Sequence, residues 1–411
     1  MARTESSARL GEPAEAAVTS IAAIDRFRVK DSFRRLAAAP EIAMEYLYAR
    51  LFTHNPELRA LFPHSMEHTR VRTFLMLAQL IENLDDPVAL DRLLDRLGQD
   101  HRKFGVREPH FPAFFDSLLA ATAHVSGPGF TVELSEAWRS VLGYFAGRMK
   151  VAAAADAKAQ PAWWIGEIVQ HDQRTGTVAV LTIRPDRPLR FQPGQYVSVQ
   201  VPKWPRTWRK YSIANAPREN GLIDLHVRAV PGGMVSTALV SHSGTGDTVT
   251  LSAASGDLRV PAEADRDIVC VAGGTGLAPV KAIVESIVGE TRHGKRRSIT
   301  MYVGARRGGD LYDMRDLATL RLAYPALTLV PVAESDLEFT GSAGSLPDIV
   351  ARHASFRDTE VYVAGPAGLV SATTRALAAR VPADRFHHDP LDLLRAASQS
   401  LRAQRSPRDA T

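Results

Sequence analysis

The sequence predicts a multidomain α + β + α/β chain: an all-α domain, then an antiparallel β-barrel, then a parallel-sheet α/β domain. Three observations carry this. Apolar residues recur at helical spacing from Ile21 to about Ala155, as in Met44, Leu47, Tyr48, Leu51 and Phe52, then Phe74, Leu75, Leu77, Ala78 and Ile81. From Trp164 the period changes to two, through Gly166, Ile168, Val178, Val180, Thr182 and Ile183, in short segments broken by Gly and Pro. From Asp267 strand and helix patterns alternate, which implies parallel strands joined by crossover helices.

A length of 411 residues predicts two to three domains at about 150 residues each. The expected boundaries are a disordered tail at 1–20, the helical domain at 21–156, the barrel at 157–262, the α/β domain at 263–392 and a disordered tail at 393–411. Apolar content of 45% and charged content of 23% suit an ordinary soluble globular protein. The net charge of +5 is small, and Arg395, Arg402, Arg405 and Arg408 sit in the polar tail, so no nucleic-acid partner is read from it. Cys270 is the one cysteine, which excludes an intrachain disulfide and any cysteine-cluster zinc or iron–sulfur site. No apolar run reaches transmembrane length and Met1–Ser20 is not signal-like, so a cytoplasmic protein without integral membrane association is expected.

Within the helical region, Asn55-Pro56 and Glu108-Pro109 punctuate the pattern and Asp85-Asp86-Pro87 starts a helix. Residues 153–162 read as helix end and linker. In the barrel, Phe191-Gln192-Pro193-Gly194-Gln195-Tyr196 is a strand-entry turn. It precedes the stretch Trp208-Arg209-Lys210-Tyr211-Ser212, and then Val227-Arg228-Ala229-Val230-Pro231-Gly232-Gly233-Met234-Val235-Ser236. On a strand, Arg209 and Tyr211 share one face and Ser212 takes the other. The set suits a flavin dinucleotide: Arg209 for pyrophosphate, Tyr211 against the ribityl chain and ring, Ser212 for the polar ring edge. Gly232 and Gly233 let backbone approach a charged group, with the Ser236 hydroxyl following. Tyr196 is a further flavin contact, and Arg228 meets either a phosphate or a cross-strand carboxylate.

The first strand of the α/β region runs into Ala272-Gly273-Gly274-Thr275-Gly276-Leu277-Ala278-Pro279. Glycines there allow backbone N–H groups to approach a pyrophosphate at a helix N-terminus, with Pro279 in the first turn. Later strands end in Gly304-Ala305-Arg306-Arg307 and in Ala364-Gly365-Pro366. Arg306 and Arg307 either bind a 2′-phosphate or cover the adenine edge, leaving NADH and NADPH both open.

These motifs resemble the ferredoxin-reductase-like flavoproteins over about residues 163–392. The resemblance implies FAD on the barrel and NAD(P)H on Gly273, Gly274, Thr275, Gly276, Arg306, Gly365 and Pro366. In the helical domain, Leu51-Phe52-Thr53-His54-Asn55-Pro56-Glu57-Leu58-Arg59-Ala60-Leu61-Phe62, Ile81-Glu82-Asn83-Leu84 and Gly98-Gln99-Asp100-His101-Arg102-Lys103-Phe104-Gly105-Val106 resemble the globin domain of bacterial flavohaemoglobins. That resemblance places the proximal haem ligand at His101, a haem-packing ring at Phe62 and a distal hydroxyl at Tyr48. An imidazole that ligates iron through one nitrogen gives its other N–H to a nearby acceptor. The distal position opposite Tyr48 falls on Met66, His68 or Thr69.

The sequence departs from the family in four places. Phe111 stands where the family has Tyr, and Ala152-Ala153-Ala154 where it has Glu, which removes two polar partners of the proximal imidazole. Ala364 replaces a Cys near the hydride path. Asp389 keeps an acid, whereas Leu391 replaces a flavin-stacking Phe. The implied cofactors are haem b, FAD and NADH or NADPH, and the implied activity is conversion of NO and O2 to nitrate. The partners are then small molecules (NAD(P)H, O2, NO), with no obligatory protein partner. An NAD(P)H oxidase or haem-reductase variant, a haem-based gas sensor with a reductase module, and a haem-free globin fold on a flavin reductase are the alternatives.

Overall fold

The computed structural model describes residues 21–260, 266–290, 297–336, 338–353 and 355–388. Both expected tails, with Asp389 and Leu391, lie outside the described residues, as does the expected boundary at 262/263. The chain divides into two compact units. One comprises Glu67–Lys158 and the residues up to Ala60, and the other Leu61–Met66 and the residues from Ala159 onward.

The first unit is helical: α1 (Ala23–Ala38), α2 (Pro40–His54), α3 (Glu67–Glu82), α4 (Pro87–His101), α5 (His110–Ser126) and α6 (Val132–Ala159). Pro40 and Pro87 each open a helix, where a missing N–H costs nothing. Asp86 caps α4 by accepting the Ala89 N–H at 3.0 Å. Leu36, Met44, Leu47, Leu51, Leu90, Leu94, Leu118 and Trp138 are fully buried. Each contributes roughly 1.5–3 kcal/mol by leaving water. The Trp138 indole donates to Ser32 Oγ at 2.8 Å, so the largest core side chain is satisfied inside. Helix α6 runs to Ala159, three residues past the boundary expected after Asp156.

Helix α4 is laced to α6 along one face. Tyr144 donates to Asp91 at 2.6 Å, Arg148 grips Asp95 through two bonds of 2.6 and 2.7 Å, and Arg102 pairs with Asp156. Residues 91, 95, 98 and 102 recur at helical spacing, and at Gly98 the helices touch. A Cβ on Gly98 would lie 2.3 Å from the Met149 carbonyl oxygen.

The second unit holds two sheets. The first contains β1 (Trp164–Thr175), β2 (Val178–Pro185), β3 (Tyr196–Gln200), β4 (Arg209–Ser212), β5 (Ile223–Arg228) and β6 (Thr248–Leu251), with α7 (Met234–Ser241) after β5. It is antiparallel in the order β4-β3-β6-β1-β2-β5, and a bridge between Ile213 and Leu225 joins its two edges. The sheet therefore curls into a half-barrel around Ile168, Leu181, Val197, Val199, Leu225 and Val227.

The second sheet contains β7 (Asp267–Gly273), β8 (Ile299–Ala305), β9 (Leu327–Ala333), β10 (Ser342–Ala343), β11 (Thr359–Ala364) and β12 (Phe386–His388), with α8 (Leu277–Glu290), α9 (Met314–Ala323), α10 (Leu346–Ala351) and α11 (Ala367–Leu377) between strands. All pairings are parallel, in the order β10-β9-β8-β7-β11-β12. The chain leaves β7 toward β8 and later returns to its other side as β11. That reversal opens a ligand crevice at the carboxyl end of β7.

At the β11–β12 edge, Glu360 is 3% exposed and bonded by Arg266 (2.5 Å) and His387 (2.7 Å). Burial alone would raise its pKa, but these bonds outweigh burial and hold the carboxyl below its usual range. The stabilisation is thus present above the ordinary glutamate pKa of about 4.3 and is lost as pH falls through the lowered value. Thermal unfolding of Glu360→Gln between acid and neutral pH should show about 1–3 kcal/mol less stability at neutrality, with the difference shrinking in acid.

Candidate functional site

In the helical unit, Tyr48 stands on α2, 3% exposed, with its hydroxyl 2.6 Å from Thr73 Oγ1 on α3. Burial pushes the phenol up to about 12, so it stays protonated and able to donate. Of the three expected partners, His68 is exposed and Thr69 half-buried at the start of α3, and Met66 falls in 61–66, with the second unit. The hydroxyl meets Thr73, one turn beyond Thr69. Phe62 also lies in 61–66, which groups with the second unit.

His101 closes α4. Its Nδ1 lies 2.7 Å from the Leu97 carbonyl oxygen, which can only accept, so Nδ1 carries the proton and Nε2 keeps a free lone pair. Burial lowers its pKa and favours the neutral ring. A neutral imidazole with a fixed tautomer is what a haem iron requires of an axial ligand. The acceptor is a backbone carbonyl rather than a carboxylate. Phe111 packs on Phe115 with ring centroids 6.0 Å apart, and Ala152 is buried, so both departures from the family pattern are apolar in place.

On β4 the register pairs Tyr211 with Val197 and Arg209 with Val199, both core residues, while Ser212 pairs with Tyr196. Arg209 and Tyr211 therefore share one face, and Ser212 shares the other with Tyr196. Lys210, not singled out from the sequence, donates to the Tyr196 hydroxyl at 3.1 Å and sits 4.7 Å from its ring centre. Ser236 uses its hydroxyl within the glycine turn, accepting from the Val230 N–H (3.3 Å) and donating to the Gly233 carbonyl (3.1 Å). It shapes the turn that enters α7, and the surface left for a ligand there is backbone.

At the carboxyl end of β7, Gly273–Gly276 turns directly into α8. A Cβ on Gly276 would lie 2.4 Å from the carbonyl of Ala364 and 2.5 Å from Gly365 N. The ends of β7 and β11 thus meet backbone to backbone at the N-terminus of α8, the kind of helix end that can receive an anion. Arg228 reaches this turn from β5, its Nη2 3.2 Å from where a Gly274 Cβ would be. No carboxylate pairs with it among the described residues, so the cross-strand ion pair is not seen there. Arg306 and Arg307 follow β8 and are both exposed. Cys270 is fully buried in β7, and burial pushes its thiol up to about 12, which makes it inert.

A buried polar lock holds the two sheets of this unit together. Lys281 on α8 donates to Asp313 at 2.8 Å, Arg174 on β1 reaches Asp316 at 2.9 Å, and His226 on β5 meets the Tyr312 hydroxyl at 2.8 Å. Glu285 accepts the Ala216 N–H at 3.1 Å. Burial, with Lys281 and Arg174 nearby, keeps the His226 ring neutral. These residues join positions up to 142 apart in sequence, and no local pattern marks them.

Comparison with known proteins identifies three domain families in order: globin over residues 45–149, oxidoreductase FAD-binding domain over 166–260 and oxidoreductase NAD-binding domain over 270–375. The electron transfer component XylA of xylene/toluene monooxygenase from Pseudomonas putida is 33% identical over 223 residues, 52% of this chain and 62% of that protein. The chain thus spans less than two thirds of that relative's length. A flavohemoprotein of Bordetella pertussis is 27% identical over 367 residues, 82% of this chain and 90% of the relative. The crystal structure of a flavohemoglobin from Malassezia yamatoensis, with bound FAD and heme, superposes with a TM-score of 0.75 over 90% of this chain and 98% of that one. At 17% identity it speaks for the fold alone.

The chain is therefore a globin joined to a FAD- and NAD-binding oxidoreductase module, an arrangement that carries electrons from a nicotinamide dinucleotide through FAD to haem. Its domain order is that of the flavohemoproteins to which it is similar over most of its length. The residues present fit the three cofactors: a tautomer-fixed imidazole for haem, an Arg-Tyr-Ser strand for FAD and a bare glycine turn for the nicotinamide dinucleotide. Among the described residues, no helix is long and apolar enough to cross a membrane.

Proposed function

We propose that this protein is a nitric oxide dioxygenase that uses NAD(P)H to convert NO and O2 to nitrate. When bound, the three cofactors supply two-electron donation, its division into single electrons and the binding of gas. The chain's own contribution is placement. His101 offers Nε2 because Leu97 holds its Nδ1 proton, and α4 is kept from shifting by its ladder to α6. Tyr48 holds a phenolic proton in a buried setting where a partly negative gas is a good acceptor. Arg209 and Arg228 place positive charge for phosphates, while Tyr196, Tyr211 and Ser212 line the strand faces that would hold the flavin. The observation that carries the reading is the coexistence of the buried Tyr48 hydroxyl and the tautomer-fixed His101 in one helical unit. Three cofactor modules in one chain make a separate protein partner unnecessary, and a cytoplasmic setting supplies the NAD(P)H.

An NO electrode tests it. Aerobic protein with NADH should consume NO while forming nitrate mole for mole, and Tyr48→Phe should slow this by about 10–100-fold. NADH oxidation that ignores added NO would contradict it. That outcome fits a second reading, an NAD(P)H oxidase, which the backbone-only acceptor on His101 favours, since weaker electron donation through the imidazole disfavours O–O cleavage chemistry.

A further inference from the structure

Thr73 differs from four other helical threonines. Thr53, Thr122, Thr319 and Thr374 each return their hydroxyl to the carbonyl four residues earlier, at 2.8, 2.9, 3.2 and 2.9 Å. That is the usual fate of a hydroxyl inside a helix. Thr73 instead bonds across to α2, 2.6 Å from the Tyr48 hydroxyl. Two hydroxyls at that separation share one proton between them. A phenol is a far stronger acid than an aliphatic alcohol, so Tyr48 is the better donor and Thr73 the acceptor.

This arrangement has a consequence for any gas that Tyr48 binds, and it rests on Tyr48 facing the haem's gas-binding side. A gas that accepts the phenolic proton takes one that Thr73 already satisfies. The protein–gas bond is gained as the protein–protein bond is lost or reversed, so the net gain is reduced but not cancelled. With an apolar group of the same shape at 73, the buried phenol loses that acceptor in the gas-free state. Gas binding then supplies an acceptor without displacing Thr73, and the gas is held more tightly. We propose that Thr73 is a positioning residue that competes with the bound gas for the Tyr48 proton and so keeps gas release fast.

The test uses the haem-loaded full chain as wild type, Thr73→Val, Thr73→Ser, Tyr48→Phe and the Tyr48→Phe/Thr73→Val double variant. Two quantities are read in the ferrous protein: the C–O stretching frequency with CO, and the rate of O2 dissociation. Thr73→Val should lower the stretching frequency and slow O2 release at least about fivefold. Thr73→Ser should match wild type, and Thr73→Val should have no further effect in the Tyr48→Phe background. If Tyr48→Phe shifts both quantities but Thr73→Val leaves them unchanged or speeds release, the competition is overturned while Tyr48 keeps its place. If Tyr48→Phe changes neither, the placement of Tyr48 fails, and the proposal with it. If Thr73→Val acts equally in the Tyr48→Phe background, its effect is one of pocket shape, which also overturns the proposal.

Discussion

His101→Ala yields a protein that keeps its flavin and its NADH-driven reduction of a soluble dye but retains less than about a tenth of the wild-type haem. The effect is large because Nε2 of His101 is the nitrogen proposed to hold the haem iron. Leu97 takes the Nδ1 proton, and the end of α4 is tied to α6 by the Arg102–Asp156 pair. Removing the imidazole removes the ligand without disturbing the ladder, since Asp91, Asp95 and Gly98 lie on the face that meets α6. The pyridine haemochrome assay measures the haem retained, and far-ultraviolet circular dichroism should match wild type. Full haem content in the variant would move the ligand elsewhere.

Gly276→Val abolishes reduction of the flavin by NADH while leaving haem content unchanged. Its Cβ would collide with the carbonyl of Ala364 and the nitrogen of Gly365, and backbone cannot rotate aside as a side chain can. The ends of β7 and β11 must separate, which opens the turn proposed to hold the pyrophosphate and costs about 1–3 kcal/mol or more in stability. Anaerobic stopped-flow absorbance at the flavin band reads the loss directly. Dithionite should still reduce the flavin, because the half-barrel is untouched. Flavin reduction by NADH at the wild-type rate would show that the turn plays no part in nucleotide binding.

Much of this was legible in the sequence because the signals are local. A period of two from Trp164 marks the curled sheet, and strand–glycine–helix at Gly273–Gly276 marks the crevice. The alternation within Arg209-Lys210-Tyr211-Ser212 assigns faces correctly because the strand period is two whatever the partner strand. Short pieces escaped: β10 has two residues and β12 three, too few for any periodicity. Thr73 carries no signal, since a hydroxyl inside a helix normally serves its own backbone. The Arg174, Lys281 and Asp313 lock was hidden for the opposite reason, as its members lie on distant segments. Ser236 was read as a hydroxyl following the glycine pair toward a charged group, although a serine three residues after a glycine can also close its own turn. Ladder residues Asp91, Asp95, Gly98 and Arg102 did share a helical face in the sequence, and that face is the one that meets α6.

NAD(P)H, FAD and haem are proposed to form a continuous electron route within one chain. An absorbance titration of the purified, haem-loaded protein with NADH under anaerobic conditions tests it most directly. The account predicts that the flavin band bleaches and the haem Soret band then moves to its ferrous position, with the same amount of NADH accounting for both. A flavin that bleaches while the Soret band stays ferric would contradict it.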